Sequence, residues 1–146
     1  MAGMSIDNLE PAPEATPGVL VGIDLVEIDR IAETLARHGS RFLTRLLTPE
    51  ELQEEAHRRI TWLAGRFAAK EACAKALGTG VGEAVAWHDM QVLPRPGGKP
   101  SVRLLGNAAA RAASLGIAHI DLSISHTHQY AVAVVVALTS GSLGGP

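Results

Sequence analysis

Residues 66–77 read R-F-A-A-K-E-A-C-A-K-A-L, and this stretch predicts the central helix of the fold. With an advance of about 100° per residue, Arg66 and Lys70 lie within about 40° of each other, and so do Glu71 and Lys75. Small side chains occupy the other half of the helix circumference. The pattern therefore predicts a helix that packs closely on a sheet or another helix through its small residues.

The charged half of this helix has two interpretations. Three cations around one carboxylate suit the binding of a polyphosphate together with a divalent metal. The same residues are also typical of a solvated helix face with an ordinary pair between Glu71 and Lys75 at i, i+4. The helix itself is predicted from about residue 61 to residue 77, and the sequence Gly78-Thr79-Gly80 is suited to ending it.

The segment before this helix predicts a strand and two further helices. Residues 19–24 are apolar up to Asp24, whose carboxylate is placed either to bind a metal or to cap the next helix. Apolar residues then recur at helical spacing from 28 to 35, and Gly39 is placed to stop that helix, with Glu27 and Asp29 in its first turn. The sequence T-P-E-E at 48–51 is typical of a capping box and predicts a helix over about 49–59.

The C-terminal half has the pattern of strands around one helix. We predict strands over 84–92 and 101–105, a helix over 107–115, and strands over 117–125 and 130–138. The polar turn between the last two strands contains His126 and His128. An imidazole there could contact phosphate or adenine, act as a base, ligate a metal or lie at the surface without a ligand, although no cysteine or third histidine lies near in sequence to complete a zinc site.

Composition limits the function classes. The 146 residues suit one domain, predicted over 19–139, with a disordered leader over 1–18 and a flexible tail over 140–146. A net charge of −2 argues against a surface built for nucleic acid or a membrane. The acidic N-terminus is unlike a signal peptide, and the lone cysteine, Cys73, suits a reducing compartment, so a cytoplasmic location is predicted.

Three stretches of this sequence resemble the signature stretches of the holo-(acyl-carrier-protein) synthase family. They are V-G-I-D-L-V-E-I-D-R-I at 21–31, L-A-G-R-F-A-A-K-E-A-C-A-K-A-L-G-T-G at 63–80 and S-I-S-H-T-H-Q-Y-A-V-A-V at 123–134. They occur in the family's order, and the similarity spans about 20 to 138. The resemblance implies an α+β fold of one domain, in which a small antiparallel sheet packs against a long helix.

The resemblance also implies an activity in fatty acid biosynthesis. The 4'-phosphopantetheine group of coenzyme A is transferred to a serine of an apo acyl carrier protein, and adenosine 3',5'-bisphosphate leaves. Asp24 and Glu71 are then the carboxylates that hold Mg²⁺, a metal that prefers oxygen ligands. Glu71 is the first choice of proton acceptor, and Lys75 stabilises the phosphates during transfer.

For the coenzyme, the resemblance implies contacts from Arg66, Lys70 and His126, with Gly78, Thr79 and Gly80 lining the same cleft. Members of this type resemble one another in forming homotrimers with active sites at the subunit boundaries. They dock acidic carrier proteins through basic residues near the first helix, and Arg30, Arg37 and Arg41 lie at suitable positions here, where they could also be a solvated helix face. Two rival functions remain: a non-catalytic carrier-binding module, and an enzyme that uses coenzyme A as an acyl donor.

Overall fold

A three-stranded antiparallel sheet, in the order β1-β5-β4, forms the base of the molecule. The computed structural model describes residues 18–55 and 59–140, and the predicted leader and tail lie outside these ranges, apart from Gly18 and Ser140. The elements in chain order are β1 (Val19–Glu27), α1 (Ile28–His38), α2 (Ser40–Leu46), α3 (Pro49–Glu55), α4 (Ile60–Ala76), β2 (Met90–Pro94), β3 (Pro100–Leu104), α5 (Gly106–Ser114), β4 (Ile117–His126) and β5 (Tyr130–Thr139). Strands β2 and β3 form a separate two-stranded antiparallel sheet.

The strand register decides which side chains face the helices. Asp24 pairs with Ala133 of β5, and Ala133 pairs in turn with Ile124 of β4. Directly paired residues of antiparallel strands project to the same face, and side chains alternate along each strand. Even-numbered residues of β1 and β4 therefore lie on the face that α4 covers, together with the buried alanines of β5.

Helix α4 lies directly on β1 because both elements have small residues at the contact. A Cβ atom added to Gly22 would lie only 1.8 Å from the carbonyl oxygen of Ala72 and 2.8 Å from the amide nitrogen of Ala76. Only glycine fits at this point, because the obstructing atoms belong to the helix backbone. The predicted small-residue face of α4 is thus confirmed as its contact with the sheet.

The predicted capping box is present at the start of α3. The amide of Thr48 donates to Oε1 of Glu51 at 2.9 Å, and the amide of Glu51 donates back to the Thr48 hydroxyl at 3.3 Å. Oε2 of Glu51 accepts the amide of Val92 at 3.1 Å, which joins α3 to β2. Glu51 is completely buried, so this cap also organises the interior.

The structure corrects three boundaries. Strand β1 continues to Glu27, which precedes the first residue of α1, so Asp24 lies inside the strand and is not a helix cap. Gly39 ends α1 as predicted, but α2, which we did not predict, begins at the next residue. The helix predicted over about 49–59 does not reach Arg59, which is the extended residue before α4; α3 is described over Pro49–Glu55, and residues 56–58 lie outside the described ranges.

A fourth correction concerns the strand predicted over 84–92. Its first part is turn structure followed by a 3-10 helix at Trp87–Asp89, and only the residues from Met90 onward form a strand. Local hydrogen bonds explain the difference, because the Ala86 amide donates to the Asp89 carboxylate at 3.0 Å and the Asp89 amide donates to the Ala86 carbonyl at 3.0 Å. The apolar residues here serve a turn that packs on the core, with Val85 completely buried.

Candidate active site

Asp24 and Glu71 line one cleft, although they are far apart in the sequence. Asp24 projects from β1 toward α4, and Glu71 lies on α4 one residue before Ala72, whose backbone contacts Gly22. The cleft has a volume of about 380 Å³. Its other walls come mainly from α1, α2 and α4, with contributions from Arg30, Ile31, Thr34, Phe42 and Phe67.

Charge repulsion and burial both act on Glu71. Burial is the main reason that its pKa lies above the ordinary value, the negative charge of Asp24 raises the pKa further, and the positive charge of Lys75 lowers it. Nζ of Lys75 donates to Oδ1 of Asp24 at 3.0 Å and to the carbonyl oxygen of Ile23 at 3.0 Å. The cleft therefore contains two interacting carboxylates, and one of them, Asp24, is paired with the ammonium group of Lys75.

These groups match the preferences of a hard divalent cation. Magnesium takes oxygen ligands and is usually held by one or two protein carboxylates, with water and substrate phosphates completing its shell. Within the described ranges, no group of three or more histidine, cysteine, aspartate or glutamate side chains could hold a metal. The pair Asp24 and Glu71 thus suits magnesium bound together with a phosphate substrate better than a closed zinc site.

Lys70 is not on an exposed charged face, which corrects the helical-wheel prediction. Its side chain is completely buried and pairs with Glu51 at 2.7 Å. Arg66 is also buried, and its guanidinium lies over the Trp62 ring at 4.9 Å from the ring centroid. Of the four charged residues, Glu71 lines the cleft and Lys75 is next to it through its pair with Asp24, whereas the burial of Lys70 contradicts the predicted nucleotide contact.

The glycine-containing loop after α4 has its backbone donors engaged. The amide of Gly78 donates to the Lys75 carbonyl, and the amides of Thr79 and Gly80 both donate to the Ala74 carbonyl. Gly78 and Gly80 have φ values of 77° and 67°, as a left-handed helix end requires. The amides of this loop therefore cap the helix, and none of its three residues is among those that line the cleft at Asp24 and Glu71.

His126 is the last residue of β4 and is exposed. It pairs with Ala131 and lies on the same sheet face as Asp24, two strands away. It is not among the residues that line the cleft at Asp24 and Glu71. His128 is exposed in the turn after β4. The protomer therefore does not bring either histidine into this cleft.

A second cleft adjoins the first and is basic. It has a volume of about 450 Å³ and shares Thr34 and Phe42 with the first cleft. Arg30 lines the first cleft and Arg41 lines the second, whereas Arg37 is exposed in the last turn of α1. The remaining side chains of this basic cleft, which the sequence analysis missed, are His38, Arg45, Leu46 and Trp87.

Aromatic side chains separate the two clefts. Phe42, Phe67 and Trp87 line one or both of them, and the rings of Phe67 and Trp87 lie 5.1 Å apart. The whole chain has only five aromatic residues, so three of the five converge here. This scarcity is the signal in the sequence that could have pointed to Phe42 and Trp87.

Comparison with known proteins identifies the family. The model of the 4'-phosphopantetheinyl transferase superfamily matches residues 20–135. The chain belongs to this superfamily. It is similar to the holo-[acyl-carrier-protein] synthase of Koribacter versatilis, with 48% identity over 117 residues that cover 79% of this chain and 94% of the relative. The corresponding protein of Solidesulfovibrio magneticus is 50% identical over 116 residues, which cover 80% of this chain and 94% of the relative.

Solved transferase structures have the same architecture. The holo-[acyl-carrier-protein] synthase of Neisseria meningitidis aligns with a TM-score of 0.75 and 38% identity, covering 81% of this chain and 96% of that chain. The Helicobacter pylori synthase, solved in complex with coenzyme A, aligns with a TM-score of 0.73 and 35% identity, covering 81% and 99%. These comparisons confirm the predicted α+β fold and enzyme class. In the ranges that the structure describes, no helix is long and apolar enough to span a membrane.

Proposed function

We propose that this transferase moves the 4'-phosphopantetheine group from coenzyme A to a serine of an apo acyl carrier protein, within fatty acid biosynthesis. The observation that carries the proposal is the cleft lined by Asp24 and Glu71, with Lys75 paired to Asp24, in a chain that belongs to the phosphopantetheinyl transferases. The serine oxygen forms a bond to the β-phosphorus of coenzyme A. The bond from that phosphorus to the bridging oxygen breaks, and adenosine 3',5'-bisphosphate leaves.

Magnesium fits the carboxylate pair, and we assign Asp24 and Glu71 as its protein ligands. When bound, the ion would neutralise charge on the diphosphate, which is its usual role in phosphoryl transfer. Lys75 keeps its ammonium group beside Asp24, where it can offset the negative charge of the transferred phosphate. Glu71 is our first choice as the acceptor of the serine proton, since its carboxylate lines the same cleft.

We assign two further groups of residues to coenzyme binding. They are Gly78, Thr79 and Gly80, in the loop that follows Lys75 and the end of α4, and Arg66, which we assign to the nucleotide. His126 contacts the nucleotide in an assembled enzyme, where a second subunit supplies the sheet end that a single protomer keeps away from the cleft. Lys70 is left out of this assignment because its ammonium group is fully buried.

The acidic carrier protein docks on the basic face of α1 and α2. Arg30, Arg37 and Arg41 are exposed there and lie along the two adjoining clefts or next to them. A positive surface attracts an acidic partner and orients it, and salt screens the attraction. Affinity for the carrier protein should therefore fall as the salt concentration rises.

We propose a homotrimer with active sites at the subunit boundaries. The sheet face opposite α4 supports it, because apolar patches of this extent usually mark protein contacts. Its exposed apolar residues are Val19, Val21, Ile23, Leu25 and Leu138, at 44–63% exposure. Light scattering should give three times the 15.3 kDa chain mass, and Ile23→Glu should give monomers with little activity.

Mass spectrometry tests the reaction itself. Apo carrier protein incubated with the enzyme, coenzyme A and Mg²⁺ should gain about 340 Da, the mass of phosphopantetheine, while adenosine 3',5'-bisphosphate is released. Chelation of the metal should abolish the gain. An acyl-sized increment would instead indicate an acyl transferase, and binding without any increment would indicate a non-catalytic module.

The variant Glu71→Gln tests the assignment of the metal site. The change removes one ligand charge at nearly constant volume, so the protein should fold normally while transfer slows about a hundredfold or more. Glu83→Gln is the control, because Glu83 is exposed in a turn away from the cleft. A wild-type rate for Glu71→Gln would contradict the proposed site.

We place the reaction in the cytoplasm. The single cysteine, Cys73, is completely buried in α4 and needs no oxidising compartment. The same burial leaves no thiol at the cleft for an acyl-enzyme mechanism, which argues against the acyl-transferase alternative. Fractionation of cells that express the tagged chain would test the location.

A further inference from the structure

Lys70 is a buried cation that the proposed mechanism does not use. Its ammonium group donates to the Leu46 carbonyl at 2.6 Å, to Oε1 of Glu51 at 2.7 Å and to the Trp87 carbonyl at 3.2 Å. An ammonium group has three N–H donors, so these acceptors use all of its capacity. The three acceptors come from three separate segments of the chain.

Two of these segments form the basic cleft. Leu46 is the last residue of α2, and Trp87 begins the 3-10 helix; both side chains line the cleft with Arg41 and Arg45. Lys70 lies beneath the cleft on α4 and holds the backbone of each segment. Lys70 thus links the two walls of the cleft from below.

A second contact holds the same two segments at their exposed side. Nε2 of His88 lies 2.7 Å from the carbonyl oxygen of Thr44, which connects the 3-10 helix to α2. The walls are therefore joined once from below, by Lys70, and once from the side, by His88. Two independent links between the same short elements favour a defined separation over a movable one.

Stability alone is a weak reason to keep such a pair. Taking an ammonium and a carboxylate out of water has a large cost, and apolar residues of similar volume often stabilise a fold equally well or better. A network of directed hydrogen bonds fixes the positions of particular backbone groups more precisely than apolar packing does. The carbonyl groups fixed here belong to the residues that shape the cleft.

We propose that Lys70 is a positioning residue for carrier-protein recognition. It sets the separation of α2 and the 3-10 helix, and so presents Arg41, Arg45 and Trp87 in the arrangement that the carrier protein binds. This inference rests on the proposed function, because it takes the basic cleft as the docking surface. Lys70 contacts neither substrate and acts only through the cleft walls.

The double variant Lys70→Met/Glu51→Gln tests the inference without leaving an unpaired buried charge. We expect a folded protein whose dissociation constant for apo acyl carrier protein rises about tenfold, because Arg41, Arg45 and Trp87 lose their arrangement. The KM for coenzyme A and the kcat at saturating carrier should stay within about twofold of wild type. Lys99→Met/Asp121→Asn is the matched control, since it removes an ion pair of the same charges at the surface, where Lys99 is 54% exposed and lies 2.9 Å from Asp121.

The indole of Trp87 gives a readout that does not depend on activity. In a Trp62→Phe background, Trp87 is the one remaining tryptophan, and the double variant should shift its emission to longer wavelength as the cleft loosens. Wild-type carrier affinity together with unchanged emission would overturn the inference. So would equal losses for carrier protein and coenzyme A, because these indicate a general structural role.

Lys70→Arg is a second variant in case the double variant does not fold. It keeps the charge and the donors but is longer, so it should separate Leu46 from Trp87 and weaken carrier binding with an unchanged KM for coenzyme A. If neither variant folds, Lys70 supports the whole fold and the inference is wrong. If the wild type transfers no phosphopantetheine, the proposed function fails, and the emission of Trp87 still decides whether Lys70 positions the cleft.

Discussion

On helix α4, the Lys70–Glu51 pair and the Lys75–Asp24 pair lie about one and a half turns apart. The first pair has a separation of 2.7 Å, and both side chains are completely buried. The second pair has a separation of 3.0 Å, with Lys75 51% exposed and Asp24 16% exposed. One helix thus places Lys70 in the interior and Lys75, half exposed, beside Asp24 of the candidate active-site cleft.

The difference arises from the elements that cover each lysine. Helix α3 supplies the carboxylate that pairs with Lys70, and the Val92 amide of β2 donates to the same carboxylate. The pair is buried, so it is shielded from solvent and from salt. Lys75 stays half exposed within the described part of the chain, and a solvent-exposed pair of this kind contributes little to stability. Its ammonium group can move from Asp24 to a substrate phosphate at small cost, as the proposed reaction requires.

Glu51→Ala should have the largest effect on stability. The substitution leaves Lys70 without its carboxylate and removes the acceptors of the Thr48 and Val92 amides, which should lower the free energy of unfolding by about 3–5 kcal/mol. Urea denaturation measures this loss. Glu50→Ala, at an exposed neighbouring position, is the control and should change the stability by less than about 0.5 kcal/mol. A loss below about 1 kcal/mol in Glu51→Ala would show that the buried pair is not a structural support.

Lys75→Met should have the opposite profile. We expect kcat/KM for transfer to fall about a hundredfold, equivalent to about 2.7 kcal/mol, while the free energy of unfolding changes by less than about 1 kcal/mol. Lys99→Met is a matched control, because Lys99 is 54% exposed and pairs with Asp121 at 2.9 Å. If the two variants transfer equally fast, Lys75 has no special role.

Gly22→Ala tests the backbone contact between β1 and α4, the helix that carries both lysines. The new Cβ would meet the backbone of α4, so the helix must shift, and the free energy of unfolding should fall by about 1–3 kcal/mol. Because the shift also changes the distance from Asp24 to Glu71, transfer should slow as well. Gly82→Ala is the control, since a Cβ atom there has no neighbour within 4 Å. Equal stability of the two variants would contradict the close backbone contact.

Asp121→Asn should have the smallest effect and sets the scale for an exposed pair. The hydrogen bond from Lys99 is the main reason that the pKa of Asp121 lies below its ordinary value of 3.8. A lowered pKa stabilises the fold above the unfolded pKa, and this contribution disappears as the pH falls through the folded value. The melting temperatures of wild type and variant should therefore differ only slightly at neutral pH and coincide in strong acid. A large difference at neutral pH would mean that exposed pairs matter more here than we propose.

Periodicity and turn chemistry predicted most of the fold. The helical spacing of 66–77, the capping box at Thr48 and the alternation in β4 are local signals. Helix α4 and strand β4 lie within one residue of their predicted bounds, and α3 begins at its predicted residue. Helix α2 is absent from the prediction because a glycine at position 39 indicates a helix end, whereas its φ of 54° and ψ of −131° redirect the chain into a new helix. A stop signal does not specify the conformation of the residues after it.

The candidate site was predicted less completely. A helical wheel places Arg66 and Lys70 on one stripe, but it carries no information about other elements. It therefore could not show that Glu51 of α3 pairs with Lys70 in the interior. The second cleft depends on α2 and on the turn before β2, the two regions whose structure differs from the prediction. The pair Asp24 and Glu71 came from the family resemblance, because nothing local in the sequence indicates that these two residues meet.

The contact at Gly22 has a consequence for protein engineering. Since α4 contacts β1 through main-chain atoms at Gly22, this contact does not depend on the size of core side chains elsewhere. Substitutions that repack the apolar interior for higher thermal tolerance should therefore leave the position of α4 on β1 unchanged. Under the proposed assignment of Asp24 and Glu71 as metal ligands, a change in metal preference would then have to come from new ligands and not from a new spacing of these two elements.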